Sequence, residues 1–132
     1  MIYIIAPFNF SSGGPELVHQ LAYILKNKLK KKVAMYYIPK SKNPVHKDFK
    51  KYKISFVDNI VDNEKNILII PEVFLNLKIA LNFKKIKKIM WWLSVDNFLN
   101  SKFRNQYNRF FRFLIKLPYF LIYLFNIIHK LF

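Results

Sequence analysis

A chain of 132 residues accommodates one hydrophobic core and is too short for two full domains. Its 53% hydrophobic and 18% aromatic content exceeds that of an ordinary soluble domain, so part of the apolar surface is expected to serve something besides that core. A formal charge of +16 favours acidic partners, either nucleic acid or an anionic membrane surface, while the absence of Cys excludes disulfides, thiolate metal sites and cysteine nucleophiles. Most of the basic residues are Lys, and with the abundant Asn and Ile this is also the bias an AT-rich coding sequence produces. The start carries neither the charged n-region nor the small-residue cleavage site of a signal peptide, and reads as a mature, cytoplasmic N-terminus.

Ile2 to Ala6 is an apolar run without alternation, as expected for a central parallel strand covered on both faces. Ser11-Ser12-Gly13-Gly14-Pro15-Glu16 then marks a turn into a helix. The two glycines allow positive φ and leave room for an anion, and Pro15 suits a first helical position whose N–H is dispensable. Free N–H groups at such a helix start make Ser12, Gly13 and Gly14 candidate phosphate ligands, although Glu16 beside them would repel a phosphate. A tight turn with no ligand explains the same residues. Leu17, Leu21, Leu25 and Leu29 follow at helical spacing with Ile24, predicting a Leu stripe packed on a sheet and a basic C-terminal turn from Lys26 to Lys32.

Val33 to Ile38 is the next strand, stopped by Pro39, and Pro39 to Tyr52 is a polar, basic loop with room for a short helix near His46 to Tyr52. Ile54 to Val57 suits a short edge strand, and the acidic Asp58, Asp62 and Glu64 mark a surface connection. Ile67 to Ile70, closed by Pro71-Glu72, repeats the strand-to-helix transition, with Val73, Phe74, Leu77 and Leu81 at helical spacing. Ile89 to Leu93 is expected to be a further buried strand, ending at Ser94-Val95-Asp96-Asn97. This alternation predicts an α/β fold, a Rossmann-like parallel sheet with flanking helices, whose ligands bind beyond the carboxyl ends of the strands.

Glu72 and Asp96 both follow strands toward that edge. They are candidate catalytic groups, able to bind hydroxyls or act as a general base; as structural residues they read as helix starters, with Asp96 an N-cap. The chain lacks the Gly-x-Gly-x-x-Gly and Gly-Lys-Ser/Thr loops of dinucleotide and NTP binding. No cofactor is expected, and no His or acid cluster suggests a metal.

From Asn105 to Lys130, polar residues recur every three or four positions in a background of Phe, Leu and Ile. Arg112, Lys116 and Pro118 interrupt any span of about 20 apolar residues. The pattern predicts a C-terminal amphipathic helical tail over residues 101–132, lying in the membrane interface, with Arg109, Arg112, Lys116, Phe120 and Phe125 touching an anionic membrane surface. Packing against another domain explains the same face.

The segments Ser11 to Leu21, Tyr36-Tyr37-Ile38, Ile67 to Glu72 and Trp91 to Asn97, taken in this order, resemble the N-terminal half of bacterial GT-B type glycosyltransferases of capsule and lipopolysaccharide synthesis. The likeness covers residues 1–100. It implies a Rossmann-like, acceptor-side domain facing a second domain that holds most of a nucleotide-sugar donor, with the Gly13-Gly14 turn reaching the donor diphosphate. The partners it implies are a nucleotide-sugar and a cell-surface glycan acceptor, at the inner face of the cytoplasmic membrane. These 132 residues do not include that second domain, so the resemblance carries the expectation of a truncated, split or frameshifted product that is inactive alone. The competing reading is a non-catalytic basic module for membranes or nucleic acid; nucleic acid is the weaker choice, because no such motif is present and the aromatics sit inside apolar runs.

Overall fold

The computed structural model describes residues 1–106. Four parallel strands form one sheet: β1 (Ile2–Pro7), β2 (Val33–Ile38), β3 (Ile67–Pro71) and β4 (Lys87–Trp91), in the spatial order β2-β1-β3-β4. Among the described residues three helices accompany them: α1 (Gly13–Asn27), α2 (Phe74–Ala80) and α3 (Val95–Gln106). A short 3₁₀ helix, Lys47–Tyr52, lies in the long connection between β2 and β3. The chain therefore has the expected α/β, Rossmann-like architecture.

Because side chains alternate along a strand, β1 serves two cores. Ile4 and Ala6 pack with Val18 and Ala22 of α1 and with Met35 and Tyr37 of β2, whereas Tyr3 and Ile5 face the opposite layer with Leu68, Ile70, Ala80 and Ile86. The helices after β1 and β3 thus cover opposite faces. This follows from the strand order: β1 leads outward to β2 on one side and β3 to β4 on the other, and right-handed crossovers in opposite directions place their helices on opposite faces. The carboxyl ends of β1 and β3 are adjacent at the point where the order reverses, and a crevice opens there.

Several elements differ from the expectations above. The inward face of α1 is Val18, His19 and Ala22, with Leu21 and Leu25 at its margin, while Leu17, Ile24 and Leu29 are exposed. Leu21 and Leu25 pack against the core as expected, whereas Leu17 and Ile24 turn outward because the imidazole of His19 finds polar partners inside and takes an interior position. In α2 the buried residues are Asn76 and Ala80, and Leu81 is 70% exposed. The Ile54 to Val57 segment is no strand. Only Phe56 forms a bridge, parallel to Met35 at the outer side of β2.

The last strand begins at Lys87, not Ile89, and is not buried. It forms the sheet edge, where Ile89 and Met90 are exposed, and Trp92 just beyond it is exposed as well. Its apolar run matches that of β3, but β3 has a strand on each side, whereas among the described residues β4 has a neighbour on one side only and lacks a bridge like that of Phe56 to the other end strand, β2. The helix α3 runs through residue 100, where the sequence places the start of the tail. Arg109, Arg112, Lys116, Phe120 and Phe125 lie outside the described residues. No helix among the described residues is long and apolar enough to cross a membrane.

Candidate functional site

The crevice at the carboxyl ends of β1 and β3 has a volume of about 630 Å³. Ser12, Gly14, Pro15 and Val18 line it from the start of α1, Pro71 to Val73 and Asn76 from the end of β3 and α2, and Leu93, Asn97, Asn100 and Ser101 from the end of β4 and α3. Phe10 and Ile38 add apolar wall. Of the residues the sequence singles out, Ser12, Gly14 and Glu72 meet in this one space. Gly13 is exposed and not part of its lining, and Asp96 is exposed outside it.

The glycine turn is built differently from its sequence reading. Ser12 is the N-cap in extended conformation, and Gly13 and Gly14 are already the first two helical residues, so Pro15 is the third. Neither glycine has positive φ. The helix starts early because the Glu16 N–H reaches the Ser12 carbonyl at 3.0 Å, closing the first turn. What the glycines contribute is the absence of a side chain: a Cβ on Gly13 would meet nothing within 4 Å, and one on Gly14 would point at Leu93 Cδ1 at 3.8 Å. The first-turn N–H groups of Gly13 and Gly14 have no helical acceptor, and the Ser12 hydroxyl caps neither.

Glu16 does not guard this helix start. Its Oε1 accepts from the Tyr52 hydroxyl, from Gln20 Nε2 at 3.2 Å and from Lys51 Nζ at 3.2 Å, so its charge is engaged on the 3₁₀ helix. The Tyr52 hydrogen bond, reinforced by Gln20 and Lys51, holds the Glu16 carboxyl below its ordinary pKa. The repulsion expected of Glu16 is thereby reduced.

Glu72 is 2% exposed. It does not start a helix: α2 begins two residues later at Phe74 and has no acidic residue in its first turn. Instead the Glu72 Oε2 accepts the Leu93 N–H at 3.2 Å, which ties the end of β3 to the end of β4. Its other carboxylate oxygen has no partner among the described residues. Asn76, 7% exposed, donates from Nδ2 to the Pro71 carbonyl at 3.4 Å. Asp96 is likewise not the N-cap of α3. Ser94 caps that helix, its Oγ accepting the Asn97 N–H at 3.2 Å, and Asp96 lies in the exposed first turn, where its charge complements the helix dipole.

The sequence reading missed His19 as a structural group. Its Nδ1 lies 2.6 Å from the Pro15 carbonyl and its Nε2 2.8 Å from the Tyr37 hydroxyl, and the ring stacks on Phe49 at 4.1 Å. A carbonyl only accepts, so Nδ1 carries the proton, and neutral Nε2 accepts from Tyr37. Burial lowers the imidazole pKa from its ordinary value and raises that of the Tyr37 phenol. The local sequence carries no signal for its burial, since Tyr23 one turn on is exposed and the Tyr37 partner lies on another element.

The arrangement is suited to a ligand with hydroxyl groups. A nearly buried carboxylate and carboxamides from Asn76, Asn97 and Asn100 supply directional acceptors and donors, while Phe10, Val18, Ile38 and Leu93 supply apolar wall. The exposed helix start at the rim offers N–H groups to an anion. Among the described residues no group of three or more His, Cys, Asp or Glu is placed to hold a metal ion. Comparison with protein-family models, with curated proteins and with solved structures finds no match to this chain.

Proposed function

We propose that this chain is the acceptor-side, Rossmann-like half of a glycosyltransferase that moves a sugar from a nucleotide-sugar to a glycan acceptor. The observation that carries the reading is the convergence of the buried Glu72 carboxylate and the α1 start in one crevice at the switch point of a parallel sheet. In this reading an acceptor hydroxyl donates to Glu72 while carboxamides of Asn76, Asn97 and Asn100 bind its neighbours. As the acceptor oxygen attacks the anomeric carbon, the bond to the departing nucleoside diphosphate breaks and the hydroxyl proton passes to Glu72. Ser12, Gly13 and Gly14 meet the diphosphate at the rim, so the donor is held mainly by a second domain. Asp96 takes no direct part, being exposed in the first turn of α3.

The test is ligand-observed NMR on the full chain with a panel of neutral and acidic oligosaccharides, for wild type and Glu72→Gln. Binding weakened about tenfold or more by Glu72→Gln, the range expected for loss of a hydrogen bond to a charged group, supports the reading. Absence of binding by every glycan, or binding indifferent to Glu72, overturns the acceptor assignment.

A further inference from the structure

The edge of the sheet opposite the crevice carries a second surface. All four strands start in line: Ile2 pairs with Val33 and with Ile67, and Ile67 pairs with Lys87. Hydrogen bonds from Ile2 N to the Lys32 carbonyl, from Ile67 N to the Met1 carbonyl and from Lys87 N to the Asn66 carbonyl extend this alignment one residue further back. The segments entering the strands therefore lie side by side across roughly 15 Å, three inter-strand spacings.

Those segments are basic. Lys30, Lys31 and Lys32 enter β2, Lys65 enters β3, and Lys84 and Lys85 precede β4, all exposed. None of these ammonium groups is within ion-pairing distance of a carboxylate among the described residues. Asp62 is engaged on the backbone entering β4, accepting the N–H groups of Lys84, Lys85 and Ile86 at 2.7, 2.9 and 2.8 Å. Glu64 is the one exposed carboxylate in the entering segments.

Aliphatic side chains stand among these lysines. Leu29 is 56% exposed between Lys28 and Lys30, Leu81 is 70% exposed where α2 ends before Lys84, and Val61 is 61% exposed beside Asp62. Met1 at the start of β1 is 41% exposed. The exposed large aromatics, Phe10, Tyr23, Phe56 and Trp92, are not on the segments entering the strands. Nucleic acid would call for stacking platforms among the cations, which these segments lack. Lysines surrounding exposed aliphatic side chains match an anionic lipid surface, with ammonium groups at the headgroups and Leu and Val at the acyl boundary.

We propose that this strand-entry edge is a docking face for anionic lipid bilayers, independent of the apolar segment beyond residue 106. Docked in this way, the domain turns its crevice away from the bilayer plane.

The experiment is flotation of the full chain with phosphatidylcholine vesicles, with and without phosphatidylglycerol. Three variants are compared with wild type: Lys31→Gln/Lys32→Gln/Lys65→Gln/Lys85→Gln, Leu29→Ser/Leu81→Ser, and Phe120→Asp/Phe125→Asp. The expected result is a loss of affinity for anionic vesicles of roughly 100-fold or more in the lysine variant, at about one order of magnitude per charge at most. The leucine variant is expected to lose about tenfold with its charge intact. All six positions are exposed, so melting temperatures should stay near wild type; if the serines lower them, Leu29→Ala/Leu81→Ala takes their place. Wild-type vesicle binding by both the lysine and leucine variants overturns the proposal, as does salt-sensitive binding to single-stranded DNA that the lysine variant loses while its vesicle binding is retained.

Discussion

The imidazole of His19 joins α1 to β2 through Tyr37, with Nε2 accepting the phenolic O–H at 2.8 Å inside the core. Because Nδ1 is committed to the Pro15 carbonyl, the same ring also holds the first turn of α1, whose other side lines the crevice. Tyr37→Phe removes the donor and leaves a buried acceptor unpaired. It is expected to cost about 1–3 kcal/mol in urea unfolding, and a cost below a few tenths would show that the pair is not holding the helix.

The same residue predicts a pH dependence. Desolvation lowers the folded pKa of His19 below 6.5, so under acid the unfolded chain binds more protons than the native one. Stability from this group is complete above pH 6.5 and is lost as pH falls from there toward the folded value. The lowered carboxyls of Glu16 and Asp62 add a contribution that is present above about pH 4.5 and is lost below it. Melting temperature followed from pH 8 to pH 3 should therefore begin to fall near pH 6.5, and His19→Gln should flatten that onset.

The orientation of α1 is tested by neighbouring residues. Val18 is 1% exposed and Leu17 44% exposed. Val18→Ala should destabilise by about 2 kcal/mol, from two buried methyl groups and the space they leave, whereas Leu17→Ala should stay within about 0.5 kcal/mol. Equal losses would return Leu17 to the core.

Gly14→Ala separates ligand binding from folding. The backbone at Gly14 is helical and the added methyl has room beside Leu93, so the melting temperature should hold or rise. In an enzyme supplied with a donor-binding domain, the same methyl obstructs approach of a diphosphate, and transfer should fall at least tenfold. Wild-type transfer by both Gly14→Ala and Gly14→Val would end the assignment of this helix start to the donor.

Glu72→Ala should be more damaging than Glu72→Gln. Alanine leaves the Leu93 N–H without its acceptor in a half-buried position, at about 1–3 kcal/mol, while glutamine keeps an oxygen there. Equal melting temperatures for the two variants would mean that the bond to Leu93 does not join the ends of β3 and β4.

The runs Ile2 to Ala6, Val33 to Ile38 and Ile67 to Ile70 were legible because a doubly covered parallel strand needs uninterrupted apolar residues, and that need is local to the chain. The break at Ser11 to Pro15 marked a helix start for the same reason. Tertiary structure decided what depends on neighbours distant in sequence. Ile89 to Trp92 carries as apolar a run as Ile67 to Ile70, yet the order β2-β1-β3-β4 leaves it at an edge. His19 reads as polar until Pro15 and Tyr37 satisfy both ring nitrogens, and its burial turns Leu17 and Ile24 outward. Glu72 and Asp96 look alike in sequence, each following an apolar run near a helix start. Only the packing of β3 beside β4 buries the first against the Leu93 N–H, while the second is left in solvent, because burial of a carboxylate depends on a donor that the local sequence does not specify.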